Sequence, residues 1–258
     1  ASLCGFIGGE CGTALRPLLE QMPIGLRLIE TGVASGAYIH DRRGGERVPV
    51  AQSASMPPSR HEVDSLFSAA CAAALDAGVL ALCGPYPSEA LPLEIYGDLV
   101  ADVKANGTPV VVDLSPPRLD SALEGGPDLV KINDWELAGY VEGPVDTPAR
   151  TRAALERLLE AGAGAAIVTR AEEPALVLRG EEAWELIPPR FARGAREGCG
   201  DSMMGGLAAC MAAGLDWEQT LRTGAAAGAA NFLRHGLGNA DRAVVEDLAR
   251  RVELRPVP

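Results

Sequence analysis

Asp128-Leu129-Val130-Lys131-Ile132-Asn133-Asp134-Trp135-Glu136-Leu137 carries an apolar run of strand length directly into a segment with helical spacing, with polar residues at the junction. A short apolar run without alternation marks a strand buried on both faces, as in a parallel sheet covered by helices. The pattern recurs along the chain. Residues 79–83, 109–113, 128–132 and 165–169 read as buried strands, and 63–76, 88–105, 134–141 and 147–161 as helices around them. Such alternation predicts an α/β fold in three layers, with a central, mostly parallel sheet and helices on both sides. Upstream, 2–7 reads as a strand, 10–21 as a helix, and 25–30, 37–41 and 47–51 as short strands with a turn at Gly44-Gly45. Downstream, a hairpin of 175–179 and 183–187 turns at Gly180-Glu181-Glu182, and helices follow at 201–213, 217–233 and 242–251. We expect a single domain over 1–258, with 25–51 as a small β segment.

The composition bounds the function. With 258 residues, 47% of them hydrophobic, the chain can bury a large core. Its net charge of -12 would repel polyanions, which excludes nucleic acid and anionic membrane surfaces as partners and favours a small polar substrate. A bound phosphate must then be held by local groups such as backbone amides. No apolar run is long enough to span a membrane, and Ala1-Ser2-Leu3-Cys4-Gly5 lacks a charged leader. Six cysteines without C-x-x-C spacing read as free thiols, so a cytoplasmic location is expected.

Ligands of open α/β sheets gather where strand C-termini feed loops, and Gly84, Asp113, Asn133 and Thr169 lie at those ends. A second stretch, Glu197-Gly198-Cys199-Gly200-Asp201-Ser202-Met203-Met204-Gly205-Gly206, puts glycines and an acid where a loop becomes an apolar helix. Amides at a helix start can hold a developing anion while Asp201 takes a proton, although Asp is also a favoured helix cap. The same helix start would lower the thiol pKa of Cys199, but packing in a tight turn is the preferred account of a cysteine there.

Asn133 and Glu136, three residues apart at a helix start, can organise water around Mg²⁺ or cap the helix reciprocally. Lys131 is one of only two lysines and offers a compact charge. Thr169 and Arg170 end a strand and could contact nucleotide phosphates. The small-residue face from Gly224 to Asn231 admits a flat ring or a neighbouring helix, and His235-Gly236-Leu237-Gly238 makes a turn that could wrap an adenine edge. Gly84-Pro85-Tyr86-Pro87 and Asp113-Leu114-Ser115-Pro116 are loop entries suited to an acceptor pocket.

In order along the chain, Gly5-Phe6-Ile7-Gly8-Gly9-Glu10, Val130 to Leu137, Gly198-Cys199-Gly200-Asp201-Ser202 and Ala226 to Asn231 resemble the ribokinase, or PfkB-type, carbohydrate kinases, and among them the 1-phosphofructokinase and tagatose-6-phosphate kinase branch. The resemblance covers nearly the whole chain. It implies a ribokinase-like fold with a small β lid, here absent or incomplete, and an ATP-dependent kinase for a sugar or sugar phosphate. By resemblance, Asp201 is the base, the amides of Cys199, Gly200 and Asp201 form the anion hole for the transferred phosphoryl group, and Gly198 belongs to the same catalytic segment. Asn133 and Glu136 organise Mg²⁺. Lys131, Thr169, Arg170, Gly228, Asn231 and Gly236 serve the nucleotide. A monovalent cation and a homodimer are further implications.

The departures are specific. The Asn or Asp and the Thr usual before Gly-x-Gly-Asp give way to Ala195-Arg196-Glu197, and Ser/Thr-x-Gly becomes Thr169-Arg170-Ala171. The segment Gly32-Val33-Ala34-Ser35-Gly36-Ala37 lacks the substrate-phosphate Arg of the phosphofructokinase branch. The family's first strand, lid strands and Gly-Gly acceptor loop align ahead of Ala1 and are expected in the gene. A non-catalytic relative that binds a nucleotide or sugar is the alternative. A dinucleotide-binding oxidoreductase is a third reading, disfavoured because the spacing around Gly5-Phe6-Ile7-Gly8-Gly9 does not give G-x-G-x-x-G.

Overall fold

The computed structural model describes residues 1–41, 43, 48–53, 56–84, 91–171, 173–234, 238 and 240–257. Gly44-Gly45, Pro85-Tyr86-Pro87 and the turn from His235 through Gly236 to Leu237 lie outside the described residues. The chain divides into two compact units, Ala1–Asp76 with Gly84–Ile95, and Ala77–Cys83 with Tyr96–Pro258.

In the first unit, β1 (Ser2–Ile7) and β2 (Gly25–Glu30) pair in parallel through the connecting helix α1 (Gly9–Glu20). Gly9 starts α1 at φ 64, a left-handed conformation that favours glycine. Strands β3 (Tyr38–Asp41) and β4 (Val48–Gln52) form a separate antiparallel ribbon with a bulge at Ile39 and His40. Helix α2 (Arg60–Leu75) packs on β1 and β2. Its start is fixed by a capping box in which Ser59 and Glu62 satisfy each other's amides.

In the second unit, a seven-stranded sheet runs in the order β11-β10-β9-β8-β7-β6-β5. Strands β5 (Leu80–Cys83), β6 (Val110–Asp113), β7 (Leu129–Asn133) and β8 (Ala166–Arg170) are parallel, as the apolar runs predict. Strands β9 (Glu173–Arg179), β10 (Glu182–Ile187) and β11 (Glu253–Val257) extend it antiparallel. The order of helices is α3 (Glu94–Ala105), α4 (Arg118–Glu124), α5 (Asp134–Val141), α6 (Pro148–Glu160), α7 (Cys199–Ala212), α8 (Trp217–Phe232) and α9 (Arg242–Ala249).

Side-chain alternation divides the core. Val111, Leu129, Ile167, Val177 and Leu186 point to one sheet face, where Met203, Met204 and Leu207 of α7, Leu221 and Ala226 of α8, and Leu248 of α9 cover them. Val110, Val112, Val130, Ile132 and Val168, equally buried, point to the other, where α4, α5 and α6 pack. Each fully buried Leu or Ile contributes about 1.5–3 kcal/mol. Strands β6, β7 and β8 are therefore covered on both sides, and their polar residues lie toward their C-terminal ends.

Candidate active site

The register of the parallel ladder sets the site. Cys83 is paired with Asp113, and Asn133 with Thr169. Val111 pairs with Leu129, so Asp113 and Lys131, each two residues further on, lie on the same sheet face beside α7. Cys83, Asp113, Lys131, Asn133 and Thr169 thus form a row along the C-terminal edge of the parallel strands.

Within that row the Lys131 ammonium donates to the Asp113 carboxylate at 2.7 Å, and the two side chains are only 7% and 15% exposed. A Cβ placed on Gly200 would lie 2.7 Å from Lys131 Nζ and 3.5 Å from its Cε. The second glycine of the motif is therefore the space that the ammonium fills. Gly198, at φ 74, is the N-cap of α7 and supplies the left-handed turn into it, and no side chain caps this helix start. Its amides remain directed outward, at the positive end of the helix dipole.

The Cys199 amide, expected in the anion hole, instead donates to the Arg196 carbonyl at 3.2 Å. Among the described residues, no backbone carbonyl takes the amides of Gly200 and Asp201. The hole is thus two amides with an ammonium beneath them. Asp201, in the first turn of α7, is exposed, and its negative charge reaches Asp113, Cys83 and Cys199.

Burial raises the Asp113 carboxyl above its usual range, the Lys131 ammonium counteracts, and Asp201 adds to the rise. Although Cys83 is exposed at the surface, the atoms crowding its thiol reduce hydration and, helped by the charges of Asp113 and Asp201, push it up to about 11. The Cys199 thiol is also raised, first by burial, although Asn231 opposes this; the lowering expected from the helix start is overturned. Both shifts disfavour the thiolate.

Asn133 and Glu136 form the reciprocal cap of α5: the Asn133 Oδ1 accepts from the Glu136 amide at 2.8 Å, and Glu136 Oε2 from the Asn133 amide at 3.1 Å. Both residues are half-buried at the row, and the second Glu136 oxygen stays outside the cap, a donor chemistry that suits Mg²⁺ held through water. Among the described residues no three His, Cys, Asp or Glu side chains cluster as a metal site. The Thr169 hydroxyl lies 3.5 Å from the Ile132 carbonyl.

The remaining sequence-derived residues are occupied locally. Arg170 donates from Nε to the Pro174 carbonyl at 2.8 Å and pairs with Glu173 at 3.3 Å, bracing the turn from β8 to β9. Ala171 in that turn has φ 42, the left-handed conformation for which relatives, by the resemblance, carry glycine. A Cβ on Gly228 would meet the Cys199 carbonyl at 3.0 Å, so Gly228 serves the contact of α8 with α7. Asn231 is fully buried, donating to the Glu197 carbonyl at 2.8 Å and accepting from the Gly238 amide at 3.0 Å. The small-residue face is thus a helix-packing surface, and neither Gly228 nor Asn231 presents a side chain to a ligand. Sequence reasoning missed the partnership of Asp113 with Lys131; the shared position of both at the ends of buried strands was its only signal.

Comparison with known proteins points to one family. The profile of the pfkB family carbohydrate kinases matches residues 1–243. A 1-phosphofructokinase of Rhodobacter capsulatus is 33% identical over 181 residues, 69% of this chain and 56% of that protein. The ATP-dependent 6-phosphofructokinase isozyme 2 of Escherichia coli K12 is 30% identical over 160 residues, 61% of this chain and 52% of that protein. The chain therefore spans about half the length of the curated relatives it matches. The crystal structure of phosphofructokinase-2 from Escherichia coli in complex with potassium superposes with a TM-score of 0.84 at 24% identity, covering 95% of this chain and 80% of that one.

Proposed function

Because this chain belongs to the pfkB family of carbohydrate kinases, we propose that it transfers the γ-phosphoryl group of ATP to a hydroxyl of a sugar or sugar phosphate, with Asp201 as the general base. Fructose phosphates are the first acceptors to try, since its relatives are named phosphofructokinases. One observation carries the reading: an exposed carboxylate, two outward amides and a buried ammonium meet at the first turn of α7.

Phosphoryl transfer needs positioning and charge stabilisation more than covalent catalysis. The Gly200 and Asp201 amides, with Lys131 behind them, receive the charge of the phosphoryl oxygens. Asp201 accepts the proton of the acceptor hydroxyl. Thr169, next in the row, offers a hydroxyl to the phosphates. Mg²⁺, when bound, neutralises phosphate charge, and Glu136 and Asn133 would hold its waters. A monovalent cation is included because the Escherichia coli relative was crystallised with potassium.

Six free cysteines fit a reducing cytoplasm. Among the described residues no helix is long and apolar enough to cross a membrane. Exposed Ile39, Val48 and Val50 on the β3 and β4 ribbon suit a homodimer, which sedimentation velocity checks.

The test is ADP release by the purified protein with Mg²⁺, ATP and a panel of sugars and sugar phosphates. Asp201→Asn should keep ATP binding and lose roughly two to four powers of ten in turnover. Unchanged turnover removes Asp201 from the chemistry. ATP binding without turnover on any acceptor favours the non-catalytic alternative, which the changed Ala195-Arg196-Glu197 segment motivates.

A further inference from the structure

Asp113 lies outside every role assigned so far. The sequence suggests that it enters an acceptor loop, yet its carboxylate is turned along the sheet to Lys131, 15% exposed and 2.7 Å from the ammonium. Strand pairing does not require this contact, because β6 and β7 are already joined by their ladder through Val111, Val112, Leu129 and Val130. A buried ion pair is a poor source of stability, since desolvation offsets much of the attraction. What the pair does provide is a fixed location. A lysine has four rotatable bonds, and without an anchor its ammonium would turn toward water. Held by Asp113, the Nζ stands where a side chain of residue 200 would otherwise be.

We propose that Asp113 is a positioning residue for phosphoryl transfer: its carboxylate fixes the Lys131 ammonium beneath Gly200, where that charge completes the anion hole at the start of α7. The inference rests on the kinase reading above and assigns Asp113 a task within it. Asp113 touches neither nucleotide nor acceptor; it acts through the lysine. The charge is oriented before substrate arrives, so none of the binding energy goes into immobilising it. The ammonium belongs to the γ-phosphoryl position, since the amides above it are those that face the transferred group. Loss of Asp113 should therefore weaken ATP more than ADP.

The experiment compares wild type, Asp113→Asn, Asp113→Glu, Lys131→Met and the double variant Asp113→Asn/Lys131→Met. Turnover and calorimetric affinities for ATP and ADP, each with Mg²⁺, are measured for all five. Asp113→Asn is expected to lower kcat by about ten- to a hundredfold, as for a displaced charged hydrogen-bond donor, and to weaken ATP several-fold with ADP unchanged. Asp113→Glu should recover part of both losses. In the Lys131→Met background the Asp113→Asn change should have no further effect, because the group it positions is gone.

Wild-type behaviour of Asp113→Asn, equal weakening of ATP and ADP, or an undiminished effect in the Lys131→Met background overturns the positioning role and leaves the kinase reading standing. A wild-type protein that neither binds nor turns over ATP overturns both. If Asp113→Asn does not fold, Asp113→Leu/Lys131→Met, which buries no lone charge, takes its place. Its ratio of ATP to ADP affinity should equal that of Lys131→Met, and a lower ratio refutes the proposal.

Discussion

Replacing Gly200 with alanine separates the site's chemistry from its stability. The Gly200 backbone is outside the left-handed region, so alanine is tolerated there. Within a helix, alanine is better than glycine by up to about 1 kcal/mol. The new methyl would stand 2.7 Å from Lys131 Nζ. Relief to a normal separation of about 3.5 Å moves the ammonium by roughly 1 Å. At an effective dielectric constant of about 20, moving a unit charge from about 4 to about 5 Å from a developing anion costs about 0.8 kcal/mol. Losing one charge-assisted hydrogen bond adds about 1.5–3 kcal/mol. The sum, about 2–4 kcal/mol, corresponds to a loss of roughly 30- to 800-fold in rate. Turnover by a coupled ADP assay should fall by that range while urea titration still shows a cooperatively folded protein. Wild-type turnover in Gly200→Ala would refute the argument, for it would mean that the ammonium's place beneath residue 200 is irrelevant to the reaction.

Three further outcomes follow from the structure. Ala171→Gly should stabilise the protein by about 1 kcal/mol in urea titration, because the φ of 42 is strained for alanine; the ordinary penalty for added glycine would refute this. Cys83, with its thiol pushed up to about 11, should react with iodoacetamide at pH 8 about two powers of ten more slowly than a free thiol, and a reaction as fast as glutathione's contradicts the electrostatic reading. The Glu62 carboxyl is held below its usual range by hydrogen bonds from Ser59 and Gly32, so its support for α2 is present above the ordinary carboxylate pKa and is lost as pH falls through the folded value. Glu62→Gln should therefore lower the urea midpoint at pH 7 and leave it unchanged near pH 2, and an equal loss at both pH values sinks the assignment.

The four parallel strands are legible in the sequence because each is a continuous apolar run, buried in β6, β7 and β8 and partly exposed in β5, and each boundary falls within a residue of expectation. Helix α4 was hidden behind Pro116-Pro117, which reads as loop, and β11 behind Arg255 and Pro256, which an edge strand tolerates and a central one does not. At the site, the start of α7 is local and therefore readable. Two features were ambiguous for a physical reason. An Asn and a Glu three apart serve a helix cap and a hydrated metal with the same atoms, and the stripe from Gly224 to Asn231 looks alike whether a ring or α7 lies against it. The Asp113 and Lys131 pair was not readable, because its residues are 18 apart and meet only through the register of β6 on β7. The raised Cys199 thiol likewise depends on burial, which the local sequence does not state.

The pairing of Asp113 with Lys131 also bears on how a chain of net charge -12 can hold a polyanion. A lone buried ammonium would be costly and would tend to lose its proton or turn outward. A broad basic face would serve, but many of the described arginines are matched by nearby acids, as in the Arg152–Glu156, Arg222–Glu218 and Arg251–Asp247 pairs. A lysine paired with an aspartate behind it is neutral as a unit, so it is tolerated under the helix, yet it is a dipole whose positive end lies beneath Gly200. Its field adds to that of the α7 amides at short range and cancels at long range. Attraction is thus confined to a phosphate that already sits at the helix start. The expected signature is weak salt dependence of ATP affinity, unlike that of a steering basic surface. Should affinity fall tenfold or more between about 0.05 and 0.5 M salt at constant Mg²⁺, long-range attraction would be the cause and the local dipole would not suffice.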